Sequence, residues 1–145
     1  MDLEHYHIKH NRRKTLFWFT STGMEKVIKV VEFQKMPDPV RYNLALGDYI
    51  NNRVSYTNVT NNKDIEVVMA SIAQIINDYT LTYPHREIYV TGDTEVKTRL
   101  YRRYVTRNLE EIEKLFYLWG QLKDSSELEG FRKGENYMGF LVKRM

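Results

Sequence analysis

The chain contains no cysteine. Disulfide frameworks, thiolate zinc sites, iron–sulfur clusters and cysteine nucleophiles are excluded together. Only 3 Pro and 7 Gly occur in 145 residues, too few for a collagen-like, linker-rich or low-complexity chain. No run approaches the eighteen or so apolar residues that a membrane-crossing helix needs. The most apolar stretch, residues 67–76, is followed at once by Asn77 and Asp78. The opening residues, MDLEHYHIKHNRRK, are polar and basic and lack the apolar core of an export signal, so a cytoplasmic location without membrane association is expected. Neither sign of charge dominates: 22 Lys plus Arg stand against 19 Asp plus Glu, a formal net charge of +3. The HExxH, GxSxG, GxxxxGK[ST] and GxGxxG signatures are all missing.

What the chain does carry is aromatic bulk: 11 Tyr, 6 Phe and 2 Trp. A chain of this length buries roughly 70% of its unfolded surface, which suits one domain over residues 1–145 with residues 1–14 as a polar N-terminal segment. Residues 15–21 (TLFWFTS) are aromatic on both phases, as in a strand covered on both sides. Residues 26–35 (KVIKVVEFQK) are β-branched and read as the hairpin partner, and residues 41–50 alternate cleanly. Asn51-Asn52 suits a tight turn, because Asn tolerates positive φ, and residues 53–59 form a weaker fourth strand. The period then changes from 2 to 3.6: Ile65, Val68, Met69, Ile72, Ile75, Ile76 and Tyr79 share one helical face, with Asn61 or Asn62 as cap. A strand at residues 87–90, a second helix from residue 95 to at least 107, and strands at 116–122 and 137–143 complete the order ββββαβαββ. Asn108 with Glu111 has capping-box spacing, so a new helical turn is expected there. The fold class that follows is α+β, a single mixed and mainly antiparallel sheet of six or seven strands with two main helices.

This order resembles the core of the acetyl-coenzyme A-dependent N-acyltransferases, without the helices that usually follow their first strand. The resemblance implies a V-shaped opening between two central parallel strands, filled by a pantetheine-like ligand. It also implies a Gly-rich pyrophosphate turn at the start of the first long helix, where backbone N–H groups meet phosphate. Here that stretch reads Asn61-Asn62-Lys63-Asp64-Ile65-Glu66, with no Gly and two carboxylates that repel an anion.

Other constellations are weaker. Arg99, Arg102, Arg103 and Arg107 fall on one side of the second helix and could track a phosphate backbone, but Glu110 and Glu113, which continue that face, and Glu95, which precedes it, favour a solvated, ion-paired face. His5, His7 and His10 lack the rigid elements and carboxylate partners of a metal site, so no metal is expected. Two polar clusters sit where strands or turns end: Asn43 and Asp48 in YNLALGD, and Thr94, Lys97, Arg99 and Tyr101 in TGDTEVKTRLY. A strand end that feeds a helix is a common ligand location. These six residues are expected to converge on one polar depression, with Arg99 reaching Asp48. Tyr101 also lies centrally on the buried arc of its helix.

These clusters are also where the chain is similar to an uncharacterised bacterial family of small proteins of unknown function. The matching pieces include Phe19-Thr20-Ser21-Thr22-Gly23, Tyr42-Asn43-Leu44-Ala45-Leu46-Gly47-Asp48, Asn61-Asn62-Lys63-Asp64, and Gly92-Asp93-Thr94 followed by Lys97-Thr98-Arg99-Leu100-Tyr101. The chain departs from that pattern at Lys63, Asp93 and Lys97, where Gly, Ser and Arg are expected; a carboxylate at position 93 weakens any anion site beside it. The resemblance implies no reaction. The leading expectation is a binding or protein-interaction module without a cofactor, with a second copy of the chain as one candidate partner through Val54, Tyr56 and Val59. An acyltransferase-like enzyme and a nucleic-acid binder are the alternatives, and whether the protein is an enzyme stays open.

Overall fold

The computed structural model describes residues 4–56, 62–92 and 94–145. Its strands are β1 (Lys9–His10), β2 (Leu16–Ser21), β3 (Val27–Lys35), β4 (Arg41–Ile50), β5 (Arg53–Ser55), β6 (Glu87–Val90), β7 (Phe116–Gln121), β8 (Leu128–Gly130) and β9 (Gly139–Arg144). Helix α1 (Ile65–Thr82) joins β5 to β6, and α2 (Glu95–Arg107) and α3 (Leu109–Leu115) join β6 to β7. The fold is α+β, with one mixed nine-stranded sheet in the order β1-β2-β3-β4-β6-β9-β7-β8 and β5 paired to β4. All pairs are antiparallel except β4 with β6.

The strand count exceeds the six or seven expected because β1 and β8 are short edge strands drawn from polar sequence. They span 2 and 3 residues, and neither has a fully buried position, so no apolar alternation announces them. Residues 4–14, a polar segment by composition, pack onto the fold. Tyr6 stacks on Phe19 with ring centroids 5.7 Å apart, and its backbone N–H donates to Ser71 Oγ.

One face of the sheet carries the core. Phe17 and Phe19 of β2, Val31 and Phe33 of β3, Leu44 of β4, Ile88 of β6 and Phe140 and Val142 of β9 meet Val68, Ile72, Ile75 and Tyr79 of α1, Tyr101 and Tyr104 of α2 and Ile112 of α3. All three helices therefore lie on that face. The alternate residues Trp18 and Val30 point to the other face, which none of the described helices covers; β2 is not sandwiched between helices as its two aromatic phases suggested.

Local chemistry fixes the joints. Asn51 and Asn52 both take positive φ, 51° and 65°, in the β4–β5 turn. Asn62 does not cap α1: its amide donates to Ser21 Oγ and the Glu25 carbonyl and accepts from the N–H groups of Met24 and Glu25, so it clamps the β2–β3 turn. Asp64 is the N-cap residue, with no side-chain cap bond, and Asn61 lies outside the described residues. Asn108 does not form its capping box either, because its amide donates back to the Tyr104 carbonyl and closes α2. At the far end of α1, the Arg86 guanidinium lies over the rings of Tyr42 (4.2 Å) and Tyr83 (3.9 Å) and donates to Tyr79 Oη at 2.8 Å. That cluster, with the Glu87 N–H donating to the Val40 carbonyl, sets the start of β6 beside the start of β4.

Tyr104 is buried, and its hydroxyl has no hydrogen-bond partner among the described residues. Burial, and then the nearby Glu66 carboxylate, pushes its phenol up from the ordinary value of 10.0. A group that keeps its proton longer when folded lends stability that is complete below about pH 10 and declines above it. Tyr104→Phe is expected to stabilise the protein by about 1 kcal/mol in urea denaturation at pH 7 and to lessen its alkaline loss, since it removes an unsatisfied buried hydroxyl. Destabilisation by the substitution would show that the hydroxyl has a partner.

Candidate functional site

The parallel strands β4 and β6 pair at only three positions, Arg41 with Glu87, Tyr42 with Ile88 and Asn43 with Tyr89. β4 then runs on to Ile50, whereas β6 stops at Val90 and the chain leaves the sheet through Thr91 and Gly92. Further along the same edge, β5 takes Asp48, Tyr49 and Ile50. Among the described residues, no strand pairs with that edge at Ala45 and Leu46, while Tyr56, which follows β5, packs on Gly47.

Strand alternation says which backbone groups face the gap. The Val40 carbonyl accepts from Glu87 on the β6 side, and the Arg41 carbonyl accepts from Met36 on the β3 side. Even-numbered residues of β4 thus address the β6 edge, and the N–H and C=O of Leu46 point into the opening.

The turn out of β6 is held tightly. A Cβ on Gly92 would lie 2.5 Å from the Thr98 nitrogen, so only glycine lets the turn pack against the first turn of α2. Thr94 caps α2, its Oγ accepting from the Lys97 N–H at 3.2 Å. Thr98 Oγ ties the turn by accepting from the Gly92 N–H and donating to the Thr94 carbonyl.

Two cavities meet at the gap. One, of about 280 Å³, is lined by Gln34, Asn43, Ala45, Tyr56, Thr91, Lys97 and Tyr101. The other, of about 270 Å³, lies between the starts of α1 and α2 and is lined by Lys29, Asn62, Asp64, Val68, Thr94, Lys97, Leu100 and Tyr101. Leu46, Lys97 and Tyr101 border both, so the opening passes from the bare face of the sheet to the helix side. Burial, and then the Glu32 carboxylate, raises the Tyr56 phenol above its ordinary value, so Tyr56 presents a neutral hydroxyl at physiological pH. Asp64 already accepts from the hydroxyls of Tyr6 and Ser21.

The six residues singled out from the sequence separate. Asn43 belongs to the bare face and α2 to the helix face; Asn43, Lys97 and Tyr101 share a cavity because the sheet is open between them. Thr94 borders only the helix-side cavity of the two. Asp48 and Arg99 do not meet. Asp48 is fully buried and pairs with Lys29 Nζ at 2.8 Å, its cross-strand neighbour, while Arg99 is exposed on the outer side of α2. Of the other arginines, Arg107 pairs with Glu66 at 2.8 Å, Arg102 donates to the Tyr137 carbonyl and Arg103 is exposed. Val54 and Tyr56 are turned toward Gly47, Tyr56 also lines the opening, and Val59 lies outside the described residues. His10 sits in the edge strand β1, and among the described residues no three His, Asp or Glu side chains come together as a metal group. None of the described helices is long and apolar enough to cross a membrane.

Gln34, Thr91 and Lys29 were missed, and Tyr56 was read only as a contact to a partner. Lys29 had a readable signal: it interrupts the buried phase Val27, Val31, Phe33, just as Asp48 interrupts Leu44 and Leu46 on the neighbouring strand. Two opposite charges on adjoining buried phases imply a pair.

Residues 2–145 match the model of DUF6934, a family of unknown function. The chain belongs to DUF6934. No curated protein matches it, and no solved structure does. In this DUF6934 protein the buried Lys29–Asp48 pair underlies the opening, where losing one partner strands a charge. Lys29→Met is expected to destabilise the fold by about 3–5 kcal/mol in urea denaturation, and Lys29→Met with Asp48→Leu to recover most of that. An equally unstable double variant would show that the pair itself, not its uncompensated charge, matters.

Proposed function

We propose that this DUF6934 protein is a cytoplasmic binding module that holds its ligand in the opening between β4 and β6, without a cofactor. The observation that carries this reading is the parting of β4 and β6, the one parallel pair among the described residues, beside two joined cavities that Leu46 borders. The lining supports binding more than bond-making. Its polar groups are amides, hydroxyls, the lysines Lys29 and Lys97, and the Asp64 carboxylate, which already accepts two hydroxyl hydrogen bonds. No paired carboxylates and no nucleophile–histidine couple line it among the described residues.

The acyltransferase-like enzyme is the second reading, because a parting of two parallel strands is what that resemblance implies. Against it stands the start of α1. The segment that enters this helix is clamped by the β2–β3 turn, with the Met24 N–H donating to the Asn62 backbone carbonyl, and Asp64 and Glu66 bring negative charge where a pyrophosphate would sit. Nucleic-acid binding through Arg99, Arg102, Arg103 and Arg107 ranks third, since Arg102 and Arg107 are engaged within the protein.

Ala45→Trp fills the bare-face cavity from the strand that lines it. In saturation-transfer NMR with a mixture of amide, carboxylate and nucleotide fragments, the wild type is expected to bind members that the variant loses, while the thermal midpoint is kept. Fragments that bind both proteins alike would place the site elsewhere. Calorimetry with acetyl-coenzyme A separates the first two readings: micromolar binding would favour the enzyme, and no heat the module.

A further inference from the structure

A third cavity, of about 70 Å³, lies where α1, α2 and α3 meet the β6–β9–β7 side of the sheet. Tyr101 and Tyr104 are the two polar side chains among the described residues that line it, and the rest of the wall is carbon. It is separate from the opening, with which it shares Tyr101 and Met69.

One atom on that wall is out of balance. Tyr104 is only 7% exposed, and its hydroxyl finds no hydrogen-bond partner among the described residues. A buried donor left unmade costs stability that a phenylalanine at the same place would not. A buried water typically makes about three hydrogen bonds, and two phenols supply a poor site for one.

We infer that this cavity is a binding site for a small uncharged carbonyl compound, a short ketone, aldehyde or ester, whose oxygen accepts from the Tyr104 hydroxyl. The carbon skeleton of such a ligand suits the apolar wall, and its one acceptor matches the one unmade donor. An alcohol or amide would bring a donor of its own to be left unpaired. A carboxylate fits worse, because no cation lines the wall among the described residues and the Glu66 carboxylate lies near the phenol.

The volume sets the size. It is about half of the roughly 150 Å³ that admits benzene into a dry apolar core, so the ligand is smaller than benzene. Ala73, Ile76 and Val105 are half-buried, which puts the way in between α1 and α2.

The probes are acetone, butanone and methyl acetate, each titrated into protein labelled at its Ile and Val methyl groups. In the wild type, at least one probe is expected to give saturable NMR shifts at Ile72, Ile112 and Val142 at millimolar concentration. Tyr104→Phe should weaken that binding by about tenfold, the loss of one hydrogen bond, although it is the more stable protein. Xenon, which needs the space but no donor, should shift the same methyls in both proteins, so a lost probe is not mistaken for a lost cavity. Ala73→Leu, which fills the cavity from α1, should abolish both. Equal binding of a probe to wild type and Tyr104→Phe overturns the inference, because the hydroxyl then plays no part. Shifts that persist in Ala73→Leu overturn it too, by placing the probe elsewhere. Xenon binding without any carbonyl binding, or silence from xenon and probes alike, overturns it as well.

Discussion

A strand edge accepts only one neighbour at each position, and in this protein one edge of β4 is divided between two. β6 takes its beginning and β5 its end, and among the described residues neither pairs with Ala45 or Leu46. Both limits have local causes. Arg86, stacked on Tyr42 and Tyr83, ties the start of β6 to the start of β4, and the Gly92 turn removes the chain from the sheet soon afterwards. The Asn51–Asn52 turn folds β5 back from the other side. The backbone left between them is flanked by a cavity on each face.

The electrostatics around that backbone are nearly balanced. Lys29 is neutralised by Asp48, Asp64 is held by hydroxyls, and Lys97 and the start of α2 bring positive charge to the crossing. A neutral or weakly anionic ligand suits such a surface better than a pyrophosphate.

The helices and the long strands were legible because each carries a period. α1 and α2 begin within a residue of where the change from period 2 to 3.6 places them, and Thr94 caps as its side chain dictates. Edge strands β1 and β8 were not, since an exposed pair of residues needs no apolar phase. Nor were the partners of Asn62 and Asn108: an Asn amide bonds to whichever backbone tertiary packing brings to it, and spacing says nothing of that. For the opening, the sequence points to Asn43, Lys97 and Tyr101 as chemistry at strand and helix ends. It says nothing of the register of β4 against β6, which decides that Asn43 and Lys97 share a cavity while Asp48 turns inward to Lys29.

Amide hydrogen exchange along β4, read residue by residue by NMR in the ligand-free protein, tests the gap most directly. Leu46 lies in the middle of a ten-residue strand, where protection is usually highest. If its N–H faces an unfilled edge, it exchanges at least a hundredfold faster than the N–H groups of Tyr42 and Asp48, which the neighbouring strands cover. Protection of Leu46 equal to that of Tyr42 and Asp48 would mean that the edge is filled and that β4 and β6 enclose no opening.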